Sequence, residues 1–207
     1  MSRFLLALAS AAALVPAAAL SSTVWDEAVY GDLSGDPDAP TALVFSTGSN
    51  VISGSVSAGE GDTRDFITFT IGENQVLTAL LQLEYVDPLT GEPANRGFHA
   101  INEGDTSFIP GGDTADFFLG GAHLDPLPEG TDMLSILAAA PQAGQGFDGP
   151  LGPGTYSYVI QQTGPQVSGY TIDFQVAAVP VPAGIWLIGS ALFSLAGLRR
   201  RHARGAA

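Results

Sequence analysis

The residues best suited to chemistry are three aspartates in "GDLSGDPD": Asp32, Asp36 and Asp38, gathered within seven positions on a Gly/Pro-rich loop. Carboxylates so close together, beside loop carbonyls, offer the hard oxygen shell that calcium takes. The spacing is not that of an EF-hand. The same residues suit an acidic turn in which Asp side chains accept from nearby backbone N–H groups. "GGDTAD" (Gly111 to Asp116) is a second acidic loop of this kind, and Glu60 with Asp62, or Asp113 with Asp116, fit solvated loop charges better than an acid/base dyad.

Other chemistries are poorly provided for. His99 and His123 are the two histidines of the central region, and His123 with Asp125 makes a His–Asp pair of the sort that an Asp-rich chain supplies by chance. No Gly-x-Ser-x-Gly elbow, His-Glu-x-x-His motif or Walker loop occurs, and no dinucleotide-binding glycine fingerprint follows a strand. The chain has no Cys, hence no disulfide, thiolate ligand or Cys nucleophile. Catalysis is therefore not expected, and no cofactor beyond calcium is implied.

Charge narrows the partners. All 21 acidic residues lie between Asp26 and Asp173, where Arg64 and Arg96 are the basic residues, and there is no Lys. A segment so acidic repels nucleic acid. Aromatic residues on alternating strand positions could line a sugar platform but more often form a core, while Trp25 stands alone near the expected mature N-terminus.

The elements that would carry these residues read as strands. Period-two alternation places Ile67, Phe69 and Ile71 on one face of "DFITFTI", and Leu77, Ala79, Leu81, Leu83 and Tyr85 on one face of "VLTALLQLEY". "TYSYVIQQT" and "YTIDFQV" repeat it with Tyr156, Tyr158 and Ile160, then Tyr170, Ile172, Phe174 and Val176. Weaker strands are expected at 41–47, 50–57, 107–120 and 133–140, the last of which also reads as a helix. With 26 Gly and 14 Pro punctuating them, these strands predict an all-β fold, an antiparallel, jelly-roll-like β-sandwich spanning 20–177.

The ends are of another kind. Residues 1–19 have Arg3, an apolar run from Phe4 to Val15, and Ala17 to Ala19 as a small-residue cleavage site, the pattern of a secretory signal peptide. At the other end, in 178–207, Val179, Pro180, Val181, Pro182 and Ala183 precede an uncharged stretch to Leu198, and Arg199, Arg200 and Arg201 follow. As a helix, Ala183 to Leu198 would be about 24 Å long against a hydrocarbon core of about 30 Å, a marginal span whose basic end belongs in the cytoplasm.

This order of Pro-rich motif, apolar span and Arg block resembles the bacterial PEP-CTERM sorting signal in its VPLPA-CTERM variant, with Val181 replacing Leu. The resemblance implies an exosortase partner that recognises Val179 to Ala183, transient anchoring in the inner membrane, and delivery to the surface or medium of an exopolysaccharide-producing bacterium. Exopolysaccharide is then a further partner. "GDLSGDPDAPT", "GSNVISGSV" with "DTRDFITFTI", and "LGPGTYSYVIQQTG" resemble the bacterial pre-peptidase C-terminal type of β-sandwich, which implies a structural or binding role. The alternative is a calcium-dependent carbohydrate-binding module.

Overall fold

The computed structural model describes residues 21–57, 64–86, 97–106, 118–124, 127–139, 142–162 and 166–180. The expected leader, Val181 to Ala183, the apolar span and Arg199 to Arg201 lie outside the described residues. Among the described residues no helix is long and apolar enough to cross a membrane.

Among the described residues ten strands form two five-stranded sheets packed against each other. The first contains β1 (Ser21–Asp26), β3 (Gly48–Ser57), β10 (Val167–Ala178), β5 (Gln75–Val86) and β8 (Thr131–Asp132), in that spatial order. The second contains β2 (Thr41–Leu43), β4 (Arg64–Ile71), β9 (Gly154–Gln162), β6 (Gly97–Glu103) and β7 (Gly120–Leu124). All pairings are antiparallel except β1 with β3 and β2 with β4, so each sheet is mixed and carries one parallel edge pair. This corrects the expectation of a wholly antiparallel fold.

The alternating residues of β4, β9 and β10 meet between the sheets. Ile67, Phe69, Ile71, Tyr158, Ile160, Ile172 and Phe174 are buried in one cluster. Phe69 stacks on Phe45 at 4.7 Å and meets Phe174 edge-on at 5.4 Å. Each such side chain contributes roughly 1.5–3 kcal/mol by leaving water. The opposite face of β4 and β9 is covered as well, since Phe66 and Val159 pack with Ala100, Phe118 and Ala143.

In β5 the strict alternation fails. Leu77, Leu80 and Gln82 are the buried positions, because the pairing with β10 shifts register twice, between Thr171 and Ile172 and between Gln175 and Val176. Each bulge transfers the inward face to a neighbouring residue.

The segment 133–140 contains α2 (Met133–Ala138) rather than a strand. Asp132 caps it by accepting from Leu134 N, and the same Oδ1 accepts from Leu80 N of β5, both at 3.0 Å. The cap thus starts the helix and fastens it to the sheet, with Met133, Leu134 and Leu137 turned into the core.

Candidate functional site

β1 ends where Asp26 caps a single helical turn, α1 (Glu27–Tyr30), by accepting from Ala28 N at 3.0 Å. Gly31, at φ +87, closes the turn in a backbone region that favours glycine. Trp25 clamps it: its Nε1 donates to Gly31 O at 3.0 Å and its ring lies 5.4 Å from that of Tyr30.

The turn ends the pairing of β1 with β3 at Ser53 and carries Glu27 over the exposed edge beyond it. Glu27 Oε2 accepts from Ser55 N at 2.8 Å, while Oε1 accepts from Leu33 N at 3.4 Å. Gly54 makes the room, since a Cβ there would stand 2.5 Å from Glu27 Cδ and 2.6 Å from Tyr170 Oη. Partial burial raises the Glu27 pKa above the ordinary carboxylate value; the two N–H donors oppose that shift, and Asp32 and Asp26 add to it.

Glu27, Asp32 and Asp65 bring one carboxylate oxygen each within 4.8 Å of one another. They come from α1, the loop that follows it and the start of β4, so both sheets and the connecting loop converge there. Asp65 is fully buried, and its Oδ2 accepts from Tyr170 Oη of the opposite sheet at 2.5 Å. Oxygens so placed suit a hard divalent cation or a shared proton.

Of the three aspartates in "GDLSGDPD", Asp32 joins this group. Asp36 Oδ1 accepts from Asp38 N at 2.9 Å, and Asp36 N donates to Ser34 Oγ at 3.1 Å, which is the geometry of an Asx turn. Sequence proximity thus pointed to Asp32 but not to its neighbours in space. Asp65 offered one signal: a carboxylate opening an otherwise apolar strand. Glu27 offered none.

Of the other singled-out acids, Glu60, Asp62, Asp113, Asp116 and Asp125 lie outside the described residues. His123 is exposed on β7, 5.0 Å from the Phe98 ring. His99, in contrast, is sealed in the interior, its Nδ1 2.8 Å from Tyr158 Oη. Burial lowers its pKa to about 4, with a smaller contribution from His123. Burial likewise pushes the Tyr158 hydroxyl well above its ordinary pKa, so a neutral imidazole and a neutral phenol share this bond.

No protein-family model matches the chain, and no curated protein matches it.

Proposed function

We propose that this chain is an exported, exosortase-processed surface or extracellular-matrix protein of an exopolysaccharide-producing bacterium, with a structural or binding role and no catalysis. The observation that carries the reading is the order of its pieces: leader, β body, then Val179 to Ala183, apolar stretch and Arg199 to Arg201. Two features at the end of the described body support that reading. Strand β10 ends at Ala178, Val179 N donates to Asn74 O at 2.8 Å, and Val179 is 43% exposed. A sorting motif that starts at Val179 would stand just past β10, at the edge of the β body, which suits access by a membrane-embedded processing enzyme.

The strand order supports a jelly-roll scaffold, with β3-β10-β5-β8 facing β4-β9-β6-β7 and β1 and β2 added as parallel edges. Mass spectrometry of the mature protein from its host tests the assignment. Cleavage near residue 19 and near the motif is expected, and replacing Val179 to Ala183 by a Gly/Ser segment should leave a longer, membrane-held form. Soluble protein with its tail intact would overturn the reading.

The second reading, a calcium-dependent carbohydrate-binding module, draws on the Glu27, Asp32 and Asp65 group. Its test is thermal melting with and without millimolar calcium. An upward shift in melting temperature that disappears in Asp32→Asn supports the reading, and no shift removes it; glycan binding abolished by chelator would extend it to sugar.

A further inference from the structure

The outer face of the first sheet carries a cleft of about 510 Å³ beside α1. That lies within the roughly 300–1,000 Å³ typical of small-molecule sites. Its floor is ordered by strand register. Asp26 is opposite Ser53, Ser53 opposite Thr171, and Thr171 opposite Glu84, and all four line the cleft. One row across four strands thus reads carboxylate, hydroxyl, hydroxyl, carboxylate. Three strand spacings of about 4.8 Å separate its ends by about 14 Å. None of the described lining residues is basic.

A neighbouring row, Ser55, Gly169 and Val86, also lines the cleft and has no side chain at its centre. Nothing among the described residues requires that glycine. Gly169 is paired on both sides and does not have a positive φ, and a Cβ there would meet Val86 Cβ at 3.8 Å and Gly54 O and Val86 Cγ2 at 3.9 Å, ordinary contacts. Glycine inside a strand weakens it and often marks close approach of a ligand to the backbone. What a side chain at Gly169 would fill is the cleft.

We propose that this cleft binds a ligand with ammonium groups at both ends of a polar chain, either a linear polyamine or an oligomer of an amino sugar. The carboxylates of Asp26 and Glu84 take the two cationic ends, Ser53 and Thr171 meet the polar middle, and the ligand lies against the bare backbone at Gly169. The proposal is independent of how the chain is exported and needs no metal ion.

Calorimetric titration of the full chain in mild detergent, with chelator present, tests it. The probes are spermine, the shorter diamine putrescine, a glucosamine trimer and its N-acetylated form. Spermine or the glucosamine trimer should bind at least tenfold more tightly than putrescine, and whichever does so identifies the source. Gly169→Val and Glu84→Gln should each weaken that binding at least tenfold, with the melting temperature of Gly169→Val no lower than wild type. If Gly169→Val does not fold, Gly169→Ala and Glu84→Gln decide the matter. Neither spermine nor the glucosamine trimer binding more tightly than putrescine, binding unchanged by these substitutions, or, where the glucosamine trimer is the tighter probe, equal binding of its N-acetylated form would overturn the proposal.

Discussion

Glu27 stands in for a missing strand at Ser55. Where β1 leaves the sheet, the carboxylate accepts the Ser55 N–H at 2.8 Å that a longer β1 would have paired. Because its pKa is raised in the fold, ionising Glu27 costs stability as pH rises from the unfolded value of about 4.5 through the raised one. Glu27→Gln lacks this dependence. The stability difference, wild type minus Glu27→Gln, should therefore be larger at pH 4 than at pH 7 in chelator-containing buffer, as read by urea unfolding. A difference that grows towards pH 7 would contradict the assignment.

His99 acts in the opposite direction. A buried imidazole held neutral down to pH about 4, against an ordinary value of 6.5, contributes stability above pH 6.5 that is lost as pH falls towards 4. The shift corresponds to roughly 3 kcal/mol. His99→Asn, which keeps a hydrogen-bonding side chain near Tyr158, should start less stable at neutral pH yet show a flatter decline between pH 6.5 and 4. Parallel declines in the two proteins would place the acid sensitivity elsewhere.

Two strand glycines should respond oppositely to the same methyl group. At Gly120 a Cβ would lie 1.9 Å from Leu137 O and 2.7 Å from Leu137 C, backbone of α2 that cannot easily retreat. Gly120→Ala should cost at least about 3 kcal/mol, lowering the melting temperature by roughly 10 °C or preventing folding. Gly169→Ala should leave the melting temperature unchanged or raise it. Differential scanning fluorimetry of both reads the contrast directly.

Asn50 and Asp173 form a buried polar junction between β3 and β10. Asp173 Oδ1 accepts from Asn50 N at 2.9 Å and its Oδ2 accepts from Ser49 Oγ at 2.7 Å. The Asn50 amide donates to Ser46 O, Gly48 O and Phe174 O, and its Oδ1 accepts from Ser46 N. Asn50→Ala leaves several buried groups unsatisfied and should cost more than about 2 kcal/mol in urea unfolding, whereas Ser21→Ala, at the periphery, should fall within about 0.5 kcal/mol.

How far the sequence reads ahead of the structure depends on who supplies each residue's neighbours. β4, β9 and β10 were legible because their alternating residues face the core between the sheets, although Phe66 and Val159 on the other face of β4 and β9 are buried too. β5 was half legible: its extent was plain, but bulges set against β10 moved burial to Leu80 and Gln82, and no local signal encodes a partner's register. β7, "GGAHL", opens with two glycines because Leu137 of α2 and Phe147 press on Gly120 and Ala143 presses on Gly121, and sequence alone sees only weak propensity. The same holds for the site. Asp32 was visible as one of a run of acids, while Glu27 and Asp65 become its neighbours only through the turn of α1 and the apposition of two sheets. The transverse row from Asp26 to Glu84 is still less legible, since its four members belong to four strands.

Strand β10 is both the last of the described strands and the centre of its sheet, hydrogen-bonded to β3 on one side and β5 on the other along nearly its whole length. The first sheet cannot close until the final residues before the Pro-rich tail have been made. Mechanical load drawn through the residues beyond Ala178 would enter the domain between two hydrogen-bonded ladders that must slip together, and not at a peelable edge.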